Sequence, residues 1–67
     1  MVTNLKIERV RCDLTQLEVS QRTRISPGRL SLLERGIVEP RADEVQRFEE
    51  LFGMGAEKLF RDVGSAA

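Results

Sequence analysis

The basic side chains of this 67-residue chain are concentrated in its first 41 residues, which include two short predicted helices. Residues 1–41 contain eight Lys or Arg and five Asp or Glu, a net charge of +3. Residues 42–67 contain three basic and six acidic side chains, a net charge of −3. Basic groups gathered on one face attract the phosphates of nucleic acids. The polarised charge therefore favours a nucleic-acid interface in the first part of the chain, and an ordinary mixed surface is the alternative.

Catalytic and metal-binding chemistry is not supported by the residue types. The sequence has no His, so Ser-His and Cys-His nucleophilic pairs are excluded. Cys12 has no second thiol or imidazole with which to form a zinc site. Gly53-Met54-Gly55 follows a predicted helix rather than a strand, so it does not match a nucleotide-binding loop. We predict a protein that is not an enzyme and that has no cofactor, no metal and no evident small-molecule ligand.

Two helix starts lie close together between residues 14 and 35. Thr15, followed three residues later by Glu18, matches a capping box. Ser26 is a second candidate N-cap, and Pro27 stands at the first helical position, where its missing N–H is not needed. Only residues 22–25 separate the two helices. This spacing predicts a helix-turn-helix, in which the second helix can enter a DNA major groove.

Hydrophobic periodicity predicts three further helices and no strand, so the predicted class is all-α with five helices. Ile7, Val10 and Leu14 have the spacing of an apolar helix face, with Leu5 and Cys12 on a second side. Gly36 and Gly53 are predicted to end the third and fourth helices, Gly36 in a left-handed conformation. Val45, Phe48 and Phe52 share one face of the fourth helix. The predicted helices span residues 3 or 4 to 12, 16–21, 27–35, 42–52 and 56–63.

Length and composition indicate one small domain, over residues 1–63, with a flexible C-terminal tail at 64–67. A chain of this size buries only about 60% of its unfolded surface, and dimerisation is a common remedy. A single cysteine excludes a disulfide within the chain, which suits a reducing cytoplasm. No apolar run approaches the ~20 residues that span a bilayer, and no signal peptide is visible. We therefore predict a cytoplasmic protein without a membrane partner.

An ordered set of residues runs through nearly the whole chain: Leu14-Thr15-Gln16, Val19-Ser20, Ile25-Ser26, Leu30, Leu33, Glu34-Arg35-Gly36, Pro40, Phe52-Gly53 and Leu59-Phe60. In this order and at these separations, the set resembles the lambda-repressor-like, Cro/XRE-type DNA-binding domains. The resemblance implies a five-helix domain with a helix-turn-helix that binds double-stranded DNA.

The third helix is predicted to bury Leu30 and Leu33 and to turn its opposite face toward DNA. On that face Leu32 can contact a thymine methyl, although a stray exposed leucine is the alternative. Arg29 is the best candidate for bidentate contact with a guanine edge, and a phosphate contact or a solvated side chain is the alternative. The residues that point away from the predicted core are Gly28, Ser31, Leu32 and Arg35.

The resemblance also implies contacts with the DNA backbone, for which Gln16, Arg35 and Arg41 are candidates. Relatives usually carry polar residues where this chain has Pro27 and Gly28, and Gly28 can let the backbone approach DNA closely. The complete set of predicted DNA-binding residues is Gln16, Arg24, Ser26, Pro27, Gly28, Arg29, Ser31, Leu32, Arg35 and Arg41.

Two positions in the turn depart from the pattern of the relatives. Many of them have a left-handed glycine where Arg24 stands, and a non-glycine residue there costs roughly 1 kcal/mol. Either Arg24 reaches a phosphate or the turn differs. Ser20 replaces the usual alanine, and its hydroxyl can bond back to its own helix.

The resemblance further implies an internal ion pair between Arg9 and Glu34, which we interpret as structural. It also implies a homodimer formed through the C-terminal helices. The candidate interface residues are Leu51, Met54 and Val63. Together they would expose more apolar surface than is expected of a small monomer.

These observations predict a sequence-specific, double-stranded DNA-binding transcriptional regulator of prokaryotic or phage origin. It would be a repressor or controller that acts as a homodimer on a pseudo-palindromic operator. The alternative is a protein-interaction module on the same fold, such as an adaptor, antitoxin or anti-repressor. That alternative is favoured by zero net charge and by Pro27 and Gly28, which offer no side-chain hydrogen bond. Single-stranded nucleic acid is disfavoured, because Trp and Tyr are absent and the three Phe fit core positions.

Overall fold

A computed structural model describes residues 2–62, which form five helices and no strand, confirming the predicted fold class. Within these residues an isolated antiparallel bridge joins Thr3 to Asp62. None of the helices in this part of the chain is long and apolar enough to cross a membrane. The helices are α1 (Asn4–Arg11), α2 (Gln16–Thr23), α3 (Pro27–Glu34), α4 (Ala42–Phe52) and α5 (Ala56–Leu59).

Local sequence signals determine where α2 and α3 begin. The Thr15 hydroxyl accepts a hydrogen bond from the Glu18 N–H at 3.1 Å, and the Glu18 carboxylate accepts one from the Thr15 N–H at 3.0 Å. This reciprocal pair is the predicted capping box. The Ser26 hydroxyl accepts a hydrogen bond from the Arg29 N–H at 3.2 Å, with Pro27 at the first helical position. Both helix starts therefore satisfy backbone donors that a helix otherwise leaves unpaired.

Left-handed residues end α3 and α4. Gly36 has φ 70° and Gly53 has φ 67°, which glycine adopts without steric cost. At the end of α3, the Gly36 N–H donates to the Leu33 carbonyl at 3.1 Å and the Ile37 N–H donates to the Leu32 carbonyl at 3.0 Å. These two bonds form a Schellman motif, which directs the chain away from α3 toward α4.

One hydrophobic core receives side chains from every helix. The rings of Phe48 and Phe60 meet edge to face at 5.7 Å, which fixes α4 against the segment after α5. Around them lie the half-buried Leu14, Val38, Leu51, Phe52 and Met54. The fully packed centre consists of Leu5, Val19, Ile25, Leu30, Leu33, Phe48 and Leu59.

The inward face of α1 differs from the prediction. Ile7 and Val10 are 42% and 57% exposed, whereas Leu5 is fully buried. Leu5 and Arg9 lie one turn apart, so they share the face that packs against α3 and α5. Apolar periodicity selected the wrong face because the inward face carries an arginine that is paired inside the domain.

Three smaller expectations also differ. The Ser20 hydroxyl donates to the Ile25 carbonyl at 2.5 Å, across the turn rather than back along its own helix. The α5 helix ends at Leu59, and Val63 and the predicted tail lie outside the described residues. Leu51 and Met54 are half-buried against the core rather than free on the surface. Their packing weakens the argument that excess exposed apolar area requires a dimer.

Candidate nucleic-acid interface

Hydrogen bonds on both sides of the turn hold α3 at a fixed position beside α2. The Thr23 hydroxyl donates to the Val19 carbonyl at 2.7 Å, and an Arg47 guanidinium N–H from α4 donates to the Thr23 carbonyl at 3.0 Å. The Ser20 bond to Ile25 closes the far side of the turn. Arg24 lies between them with φ 60° and ψ 26°, in the left-handed region. The turn is thus formed as expected, with a residue other than glycine in the strained position.

The outer face of α3 is small and poor in hydrogen-bonding groups. Pro27 and Gly28 are exposed, and Ser31 and Leu32 are half-exposed, whereas the opposite side of the helix is buried. A Cβ atom added at Gly28 would meet nothing within 4 Å, so packing within the protein does not require glycine there. This open space allows another molecule to approach the backbone of the first turn.

Four exposed arginines surround α3, at the end of α2, in the turn, at the end of α3 and at the start of α4. Within residues 2–62 none of the four forms an ion pair, unlike the arginines that hold the helices together. Arg22 and Arg41 also attract the nearby carboxylates of Glu18 and Glu44, and all four guanidinium groups remain exposed to an external anion. They are Arg22, Arg24, Arg35 and Arg41.

Arg9, Glu34 and Gln16 form a network that links α1, α2 and α3. Arg9 Nε lies 2.6 Å from Glu34 Oε2, and Glu34 is only 2% exposed. Gln16 Nε2 donates to Glu34 Oε1 at 3.0 Å, and Arg9 Nη1 donates to the Leu14 carbonyl at 2.9 Å. The side chains expected to pair are thus in contact. Gln16, expected at a phosphate, reaches the same buried carboxylate.

Arg29 is also bound within the domain. Its Nε donates to Glu44 Oε2 at 2.5 Å, and its Nη2 donates to Glu44 Oε1 at 2.7 Å and to the Glu39 carbonyl at 3.2 Å. Glu44 is 4% exposed, and burial would raise the pKa of its carboxyl. The hydrogen bonds from Arg29 outweigh that effect and hold the pKa of Glu44 below its ordinary value.

Residues 5–59 match the model of a helix-turn-helix family. The matched region begins in α1 and ends at the last residue of α5, so it covers most of the chain. The chain belongs to this helix-turn-helix family, of the Cro/XRE type. It is therefore a DNA-binding helix-turn-helix regulator. No curated protein and no solved structure gave a significant match.

The helix-turn-helix domain gathers most of the predicted DNA-binding residues on or beside α3. Arg24, Ser26, Pro27, Gly28 and Arg35 are exposed, and Arg41 is exposed at the N-cap of α4. Gln16 and Arg29 lie nearby but are hydrogen-bonded to buried carboxylates. Within residues 2–62, no cluster of acidic or cysteine side chains could hold a metal ion.

Sequence reasoning missed two residues of this helix-turn-helix domain, Glu44 and Arg22, the latter being one of the four exposed arginines around α3. A local signal was available, because Glu44 precedes the fully buried Phe48 by one helical turn and so shares its inward face. An acidic residue on that face needs a cationic partner. Its identity depends on the angle between α3 and α4, which the sequence pattern does not specify.

Proposed function

We propose that this helix-turn-helix protein is a sequence-specific regulator of transcription that binds double-stranded DNA as a homodimer and represses or controls a promoter. The observation that carries the proposal is the set of four exposed arginines around the outer face of α3, none of which forms an ion pair within residues 2–62. Arginines on neighbouring elements can bind phosphates on both sides of a groove and hold α3 against the base edges. The resemblance to prokaryotic and phage regulators supports a cytoplasmic role.

Selection from a pool of random duplexes at low salt tests this proposal. We expect a pseudo-palindromic sequence to be enriched, because a two-fold dimer presents two copies of α3. The competing function is a protein-interaction module, and the internal bonds of Arg29 favour it, since they remove a base-reading side chain from α3. Failure to retain any duplex at low salt would reject DNA binding in favour of that module.

Arg24→Gly is expected to raise stability and weaken DNA binding. Glycine relieves the left-handed strain at φ 60°, which should raise the free energy of unfolding by about 0.5–1 kcal/mol. A homodimer loses one phosphate contact in each subunit, and these two losses should lower affinity about 60-fold at 0.1 M salt. Asp13→Gly is the matched control, because Asp13 has φ 59° at the end of α1. Urea unfolding and duplex titration should show stabilisation in both variants and weaker binding only in Arg24→Gly.

Gly28→Ala, at the start of α3, is also expected to raise stability while it weakens DNA binding. Alanine should stabilise the helix by about 0.5–1 kcal/mol, because its Cβ meets open space. If DNA approaches the backbone there, the added methyl should weaken binding about tenfold, equivalent to one good contact. Gly55→Ala, which adds a Cβ in open space at the N-cap of α5, should leave affinity unchanged, provided that sedimentation shows the native oligomeric state at this proposed interface. Equal affinity for Gly28→Ala and the native protein would exclude close approach at this residue.

The homodimer is proposed to form through α4 and α5, with the two α3 helices about 34 Å apart on DNA. Sedimentation at micromolar concentration should show a dimer, and Leu51→Asp should give a monomer. Because Leu51 also packs against the core, circular dichroism must show that the Leu51→Asp variant keeps its helix content. Val63→Asp provides a second change at the predicted interface. A native protein that is monomeric at this concentration would contradict the interface.

A further inference from the structure

The three hydrogen bonds of Arg29 connect α3 to the loop that follows it and to α4. The guanidinium engages both oxygens of Glu44, at 2.5 and 2.7 Å, so the pair has the bidentate geometry that Arg forms with carboxylates. Its Nη2 also donates to the Glu39 carbonyl in the loop before α4. One side chain in the first turn of α3 therefore fixes two later segments.

Glu44 extends this connection to the backbone of Arg41. Glu44 Oε1 accepts the Arg41 N–H at 2.8 Å, at the N-cap of α4. The carboxylate is buried, and a buried charge that loses its partner is strongly destabilising. The position of the Arg41 backbone thus depends on Glu44, and Glu44 depends on Arg29.

The same bonds occupy the groups with which Arg29 could recognise guanine. Both Nη2 protons and the Nε proton have acceptors inside the domain. Within residues 2–62, Nη1 is the guanidinium nitrogen of Arg29 that has no hydrogen bond. Arg29 therefore cannot direct two N–H donors at O6 and N7 of guanine unless its hydrogen bonds with Glu44 break.

We propose that Arg29 and Glu44 form a clasp that sets the loop and the N-terminus of α4 against the DNA backbone, so that Arg29 positions the phosphate-binding Arg41 and does not read a base. This inference rests on the proposed DNA-binding function. It reverses the role that the sequence suggests for Arg29. Base discrimination by α3 then depends on Ser31, on Leu32 and on the backbone of the first turn.

The test compares Arg29→Lys, Glu44→Gln and the double variant on a selected duplex and on unrelated duplexes. Lysine keeps the charge and loses the fork. Each single change should weaken binding to all duplexes alike by about tenfold, and the double variant should be no weaker, as expected for residues that act as a unit. Arg11→Lys, in an exposed ion pair with Glu8, is the matched control and should bind like the native protein.

Binding is measured at a temperature at which circular dichroism shows each variant to be folded. A lower melting temperature with unchanged affinity would overturn the positioning role. Tighter or equal binding by Glu44→Gln, together with loss of one guanine preference in Arg29→Lys, would show that Arg29 reads a base. If the native protein binds no duplex, the proposed function fails first.

A measurement on the native protein covers the case in which a variant does not fold. The Arg29 Nε–H resonance should exchange slowly with solvent in the free protein, because it is hydrogen-bonded to a buried carboxylate. We expect the same resonance position and slow exchange after the selected duplex is added. A large shift on binding, lost when guanine is replaced by 7-deazaguanine, would overturn the clasp.

Discussion

Glu34→Ala is expected to unfold the domain at room temperature or to leave it barely stable. Glu34 is 2% exposed, and its carboxylate accepts hydrogen bonds from Arg9 and Gln16. Removing this carboxylate leaves the Arg9 guanidinium, which is only 12% exposed, without a counter-charge. We expect the free energy of unfolding to fall by about 3–5 kcal/mol. A single core in a chain of this size rarely supplies more than about 3–5 kcal/mol. Loss of the cooperative urea transition, monitored by circular dichroism, is the expected observation.

An exposed ion pair of α4 provides the matched control for this change. Arg47 lies 3.5 Å from Asp43, and the two side chains are 44% and 60% exposed, so Asp43→Ala should cost no more than about 1 kcal/mol. Arg9→Ala should lower the free energy of unfolding nearly as much as Glu34→Ala. The loss in the double variant should be smaller than the sum of the two single losses. If Arg9→Ala and Glu34→Ala are both as stable as Asp43→Ala, the buried network does not hold α1 to α3.

Neutralising the four arginines around α3 is expected to abolish most DNA binding at moderate salt. Each phosphate contact contributes about 0.9 to the slope of log affinity against log salt, or about eightfold in affinity at 0.1 M. Four contacts in each subunit of a homodimer then amount to about 10⁷-fold at 0.1 M, and this difference should shrink toward 1 M salt. The variant carries Gln at positions 22, 24, 35 and 41.

The control for this experiment removes the same number of positive charges elsewhere on the surface. All four control residues are exposed, and they lie on α1, on α5 or just after α5. A general effect of net charge would weaken the two variants equally, and that result would contradict a phosphate-binding face around α3. The control substitutions to Gln are at Lys6, Arg11, Lys58 and Arg61, and sedimentation must show the native oligomeric state because the last two lie at the proposed dimer interface.

Features specified by neighbouring residues could be predicted from the sequence. The capping box at Thr15 and Glu18 needs only local geometry, and it is present. The same holds for the Ser26 cap and for the left-handed Gly36 and Gly53. These signals fix where the helices begin and end, so the all-α class and the helix-turn-helix followed from them.

Features that depend on how helices cross could not be predicted in the same way. Apolar spacing places Ile7 and Val10 on the inward face of α1, whereas that face is set by the Arg9–Glu34 pair, which the family resemblance predicts and the hydrophobic pattern does not. The position of Arg29 on α3 alone predicts a DNA contact, whereas its ion pair with Glu44 depends on how the N-terminus of α4 lies beside α3. A hydrophobicity pattern does not identify charged side chains that pair with each other inside the domain.

The most direct test of recognition through α3 compares two variants, each with one added negative charge on a different helix. Leu32→Asp adds it to the outer face of α3, and Ile7→Asp adds it to an exposed position on α1. Titration of a selected duplex at low salt, with both variants folded by circular dichroism, is the measurement. Binding should be lost in Leu32→Asp and close to native in Ile7→Asp, because only α3 meets the major groove. Equal binding by the two variants would contradict recognition through α3.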